Sequence, residues 1–123
     1  MKARLFLILF IGISLSLGCS RHYRSYPLFM EQAQSCVETA PDSALHYLSL
    51  LKDSIGCEPE ETQMYYHLLT IKAKDKLYIL HTSDSLINLI VKFYDEHGDK
   101  NKLIEAYYYQ GSVYRDRMMP RVL

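Results

Sequence analysis

Beyond residue 27 the apolar side chains recur three and four positions apart almost without interruption, a spacing that confines the chain to helices. Phe29, Ala33, Cys36 and Val37 form the first stripe, which Pro41 ends. Pro41 and Asp42 also suit the first turn of the next helix, because the ring presets φ and the acid faces the positive end of the helix dipole. That helix is predicted over residues 42–55, striped by Ala44, Tyr47, Leu48, Leu51 and Ile55, with Gly56 as its left-handed stop. Residues 57–60 read as a loop and an acidic entry to a third helix carrying Tyr65, Leu68, Leu69, Ala73 and Leu77. Residues 78–81 admit a short strand, but with no other strand signal in the chain a helix or loop is the better reading. Thr82, Ser83 and Asp84 offer caps for a fourth helix with Leu86, Leu89, Ile90, Phe93, Tyr94 and His97 on one face, closed by Gly98-Asp99. A fifth runs from about Asn101 with Leu103, Ala106, Tyr107, Gln110, Gly111 and Tyr114 aligned. The expected fold class is all-α. Short connections make consecutive helices antiparallel neighbours, and a helix with one apolar stripe must bury it against another, so stacked hairpins are expected.

The other end of the chain obeys a different rule. Met1-Lys2-Ala3-Arg4 is a basic start, and residues 5–17 are apolar except for Gly12, Ser14 and Ser16. Thirteen residues reach roughly 20 Å as a helix, short of a ~30 Å hydrocarbon core. A polar stretch follows at once, which is the layout of a signal peptide and not of a membrane span. Leu15-Ser16-Leu17-Gly18-Cys19 resembles the lipobox of bacterial lipoproteins, with Ser16 departing from the usual Leu. The resemblance implies cleavage after residue 18 and a diacylglycerol on Cys19, and several acyl chains hold where one is marginal. Ser20 stands where an Asp commonly retains such proteins at the inner membrane, so an outer-membrane location is expected. No acidic run for surface export follows, which favours a periplasm-facing anchor. The expected division is signal peptide 1–18, tether 19–27, helical domain 28–117 and tail 118–123. Without residues 1–18 the chain carries 12 Lys plus Arg against 14 Asp plus Glu, no basic footprint for nucleic acid.

Residues 106–114, Ala-Tyr-Tyr-Tyr-Gln-Gly-Ser-Val-Tyr, resemble the first helix of a tetratricopeptide repeat (TPR), which sets an aromatic, a Leu-Gly pair and a Tyr along one helix. Tyr107, Gly111 and Tyr114 take the aromatic, Gly and Tyr positions, and Gln110 departs from the Leu. Phe93 fits the large apolar position of the preceding second helix, and Leu89 stands at its small-residue position. Tyr66, Leu69 and Ala73 match an earlier unit, but Tyr66 precedes Tyr107 by 41 residues, longer than the 34-residue period. With Ala-Pro-Asp-Ser-Ala-Leu, Thr-Ser-Asp-Ser-Leu-Ile and His-Gly-Asp, the chain resembles bacterial lipoproteins and membrane-tethered regulators with degenerate TPR-like repeats. The resemblance implies a short helical solenoid in which Leu89, Phe93, Tyr107, Gly111 and Tyr114 pack between helices. Such proteins normally continue for more repeats, so a truncated member is expected, with Tyr107, Tyr108 and Val113 left exposed.

No catalytic constellation is present in the sequence. With Cys19 lipidated, Cys36 and Cys57 remain, either as a disulfide or as a core residue and a loop residue. The five histidines stand in no HExxH or CxxC arrangement, and the expectation is no metal and no cofactor. Eleven tyrosines are the remaining signal. Three in a row cannot all face one core, and Tyr66, Tyr108 and Tyr109 are the candidates for contact with a partner, since Tyr joins rigid area to a polar tip. The expected function is a non-enzymatic, membrane-anchored module that binds a protein or peptide. The alternative is the sensory part of a membrane-tethered regulator. Glycan binding is weaker, because the chain has no Trp.

Overall fold

A computed structural model describes residues 26–119, and over these residues the chain is all-helical. The helices are α1 (Leu28–Cys36), α2 (Pro41–Ser49), α3 (Glu60–Lys76), α4 (Ser85–His97) and α5 (Lys100–Met118), with a 3₁₀ turn at Ile55–Cys57. No helix among them is long and apolar enough to cross a membrane. The signal peptide, Cys19 and most of the 19–27 tether lie outside the described residues, as do residues 120–123 of the tail.

Local chemistry sets most boundaries. Pro41 is the first residue of α2, where its missing N–H costs nothing. Gly98 ends α4 at φ 79°, and Asp99 caps α5 by accepting a hydrogen bond from the Lys102 amide at 3.1 Å. Gly56 does not act as the expected left-handed stop: α2 ends at Ser49, and among the described residues only Tyr78 and Gly98 have positive φ. The chain tightens instead into i→i+3 bonds, Ser54 N–H to Leu51 O (3.0 Å) and Cys57 N–H to Ser54 O (3.1 Å). These satisfy the terminal carbonyls without a left-handed residue.

Residues 78–81 are a loop, entered through an abrupt helix stop. The Tyr78 amide donates to Asp75 O and the Ile79 amide to Lys74 O, each at 3.0 Å, the double bond of a Schellman turn. Tyr78 takes the left-handed position at φ 59°, where Gly is the usual residue, and its side chain is exposed. Tyr78→Gly is therefore expected to stabilise the fold by about 1 kcal/mol, the cost of left-handed backbone for a residue with a Cβ. Urea denaturation checks this, and an unchanged or lower midpoint would count against strain at residue 78.

Packing explains which face each helix buries. α3 touches every other helix and is buried nearly all round, through Thr62, Met64, Tyr65, Tyr66, Leu68, Leu69, Ile71 and Ala73. Its sequence shows only part of this, because a helix enclosed by neighbours has no single apolar stripe to display. In α2 the expected Ala44, Leu48, Leu51 and Ile55 are buried. In α1 the stripe turns by one residue: Met30 is buried with Ala33 and Val37, while Phe29 lies outside, stacked on Tyr47 at 6.2 Å. In α4 it also turns, burying Ile87 with Ile90, Phe93 and Tyr94 and leaving Leu86 and Leu89 outward. The α4 segment is apolar over more than one arc, so its periodicity admits two stripes and packing selects between them.

Polar links fix the register of α3 and α5. Lys102 Nζ lies 3.4 Å from Glu61 Oε1 at the start of both helices, and Asp75 and Asp116 come together near their ends. Both pairs are 41 residues apart, so α3 and α5 run parallel with that offset. Between them Lys72 Nζ bridges Glu105 (2.9 Å) and Glu38 (2.7 Å), and Lys76 also reaches Glu38 at 2.7 Å. Hydrogen bonds from Lys72 and Lys76 hold the Glu38 carboxyl at about 2, well below the usual carboxylate range. Glu38 is largely exposed, so this pairing adds little to stability.

Candidate functional site

α5 carries apolar residues on two opposite faces, and the bundle uses one of them. Ala106, Tyr109, Ser112 and Val113 are buried against the rest of the molecule. Ile104, Tyr107, Tyr108, Gly111, Tyr114 and Met118 fall at helical spacings of 3, 4, 7, 10 and 14 from Ile104, a second stripe that faces outward. Ile104 is 68% exposed, Tyr108 66% and Met118 84%. A helix needs one such stripe to join a fold; a second, solvated one has no use within the described residues.

Gly111 sits midway along the outer stripe, in the interior of a 19-residue helix. Glycine there costs roughly 0.5–1 kcal/mol relative to Ala. The packing of the fold does not require it, since a Cβ at this position would meet nothing within 4 Å. What Gly111 provides is a notch between Tyr107, Tyr108 and Tyr114, open to solvent. One edge of the stripe is fixed. Tyr114 OH donates to Asn88 Oδ1 at 2.7 Å and Gln110 Nε2 donates to the same oxygen at 3.0 Å, tying α5 to α4. Tyr108 stands edge-on to the buried Tyr109 ring at 4.9 Å. The start of the helix is held by Lys102, which donates to Tyr26 OH (2.8 Å) and Asp99 (3.2 Å) and lies over the Tyr65 ring at 4.6 Å. Burial and the neighbouring Glu61 push the Tyr26 hydroxyl up to about 12, against the lowering effect of Lys102. The outer stripe thus rests on a rigid helix.

The structure separates the three tyrosines expected to meet a partner. Only Tyr108 lies on the outer stripe. Tyr66 and Tyr109 belong to the core, and burial raises both hydroxyls, Tyr109 to about 12. Of the residues expected to pack between helices, Phe93 is buried. Leu89 is half-exposed, and Tyr107, Gly111 and Tyr114 face outward on α5. Val113, expected outside, is 1% exposed: it lies on the core side of α5 with Ala106 and Tyr109. Cys36 and Cys57 are free thiols, the first half-buried and the second exposed. Ile104 and Met118 extend the stripe beyond the residues expected to form it, Ile104 standing three and four residues before Tyr107 and Tyr108. The chain matches no protein-family model, no curated protein and no solved structure in the comparisons made with each.

Proposed function

We propose that this chain is a lipid-anchored envelope protein whose helical module binds a protein partner through the outer stripe of α5, with no catalysis of its own. The observation that carries the reading is the second apolar stripe, with its glycine notch, on a helix already satisfied on its other side. The partner that fits is an amphipathic helix: large side chains from its apolar face would sit over Gly111, between the rings of Tyr107, Tyr108 and Tyr114. Tyrosine suits the task because each ring adds area at small entropic cost. The signal peptide, the lipid on Cys19 and the periplasm-facing location rest on the lipobox-like residues 15–19 alone. The TPR-like reading gains support from the parallel pairing of α3 and α5, since a stacked hairpin array brings alternate helices side by side.

A photo-crosslinking residue at position 108 in the full chain, expressed in its own cells, tests this reading. The expected result is one adduct of discrete mass, lost when Ile104→Asp is added and not formed from position 50, which is exposed on another helix end. No adduct from position 108, or the same adduct from position 50, would overturn it. An adduct of twice the chain mass would assign the stripe to a second copy and overturn it equally. Attachment to a further repeat-bearing regulator would favour the sensory alternative.

A further inference from the structure

The end of α3, the loop after it and the end of α5 bring together three groups that lie far apart in sequence. Asp75 is in the last turn of α3, His81 follows the strained Tyr78 turn, and Asp116 is near the end of α5. One ligand atom from each lies within 4.8 Å of the other two. His81 Nε2 is 3.4 Å from Asp75 Oδ1 and 4.0 Å from Asp116 Oδ2. All three side chains are withdrawn from solvent, His81 to 7% exposed and Asp116 to 6%. We propose that Asp75, His81 and Asp116 bind a divalent transition-metal ion of the zinc type.

The imidazole carries the argument. Its Nε2 is buried, points at two carboxylates and makes no hydrogen bond. A protonated Nε2 facing a carboxylate closes to about 2.7–2.9 Å in a charge-assisted bond. A neutral Nε2 with its lone pair turned towards two anions is repelled by them. Neither explains a buried nitrogen held 3.4 and 4.0 Å from the oxygens. A cation between them does. Ligands about 2.0–2.1 Å from a tetrahedral ion lie roughly 3.3–3.4 Å from one another. The His81–Asp75 separation already fits, while Asp116, 4.0 Å from His81 and within 4.8 Å of Asp75, has to close in on both.

The donor set and its surroundings select the class of ion. One imidazole nitrogen with two carboxylate oxygens suits zinc and its first-row neighbours better than magnesium or calcium, which prefer all-oxygen ligands. The His81 backbone N–H donates to Asp116 Oδ2 at 3.1 Å, fixing that carboxylate as an outer-shell partner would. The fourth position opens onto a cleft of about 370 Å³, lined by Tyr78, Ile79, Leu80, Arg115 and Met119 beside the two acids. Arg115 reaches Asp75 at 3.6 Å and Asp116 at 3.3 Å, but its side chain is 57% exposed and approaches from the solvent side. It balances one of the two negative charges, competes with the metal for both carboxylates and can withdraw into water. His81 reaches the acids because α3 and α5 are offset by 41 residues.

The test uses the full chain, stripped of metal and titrated with Zn²⁺, with Co²⁺ as the spectroscopic probe. The expected result is one equivalent bound, a rise in Tm on addition of Zn²⁺, and a Co²⁺ spectrum with nitrogen and oxygen ligands and no thiolate band. His81→Gln and Asp116→Asn should each weaken binding by more than the ~10–100-fold that loss of an outer-shell partner costs. His46→Gln and Cys57→Ser should leave it unchanged, and Arg115→Gln should tighten it. No stoichiometric binding by the wild-type chain, or equal binding by His81→Gln, would overturn the proposal. If the ligand variants fail to fold, Arg115→Gln decides: tighter binding supports the site, and unchanged or weaker binding sinks it.

Discussion

Leu68→Ala is expected to lower the melting temperature by more than about 10 °C, while Leu89→Ala leaves it nearly unchanged. Both are leucines on apolar stretches of helices, and sequence periodicity places both on a core face. Leu68 is fully buried in α3, the helix that every other helix touches, so truncation opens a cavity enclosed by α3 and its neighbours. Such truncations cost about 2–5 kcal/mol, and each kcal/mol is worth roughly 4–8 °C for a domain of this size. Leu89 is half-exposed, and losing it removes little buried area. Thermal unfolding followed by circular dichroism distinguishes the two. Similar shifts for both variants would mean that the core face of α4 is the one containing Leu89 and not Ile87.

The second large effect has the opposite sign. Tyr94 is 1% exposed and its hydroxyl has no hydrogen-bond partner. A buried hydroxyl without a partner costs about 1–3 kcal/mol of lost hydration. Tyr94→Phe keeps the ring and removes that cost, so the melting temperature should rise by roughly 4–8 °C for each kcal/mol recovered. Burial also lifts the Tyr94 pKa far above its ordinary 10.0. Folding therefore favours the neutral phenol. The resulting stability is intact below pH 10 and is lost as pH rises from there towards the folded value. The Phe variant has no such group, so its advantage should persist and widen above about pH 10. A loss of stability at neutral pH would show that the hydroxyl has a partner, such as an ordered water.

Much of this was legible from residue types alone. The five helices, the Pro41 start and the Gly98-Asp99 junction follow from capping chemistry, which is local and needs no knowledge of neighbours. The 41-residue spacing between Tyr66 and Tyr107 is the offset at which α3 and α5 pair. What escaped was set by tertiary packing. Phe29 and Met30 are both apolar, and only the position of α2 and α3 decides which is buried. The outward stripe of α5 looks like a packing stripe in the sequence, which records spacing but not which side is covered. His81 has no ligand-spaced neighbour in the sequence, because its partners stand 6 and 35 residues away and meet only through the fold.

Tyr26 has a mechanical consequence. Its hydroxyl donates to Glu61 at 2.7 Å and receives from Lys102 at 2.8 Å, so the chain entering the module is fastened to the leading ends of both α3 and α5. A pull on the chain at Tyr26 would therefore meet α3 and α5 as well as α1. Tyr26 thus works as a clasp that closes the first helix onto the two it does not follow in sequence.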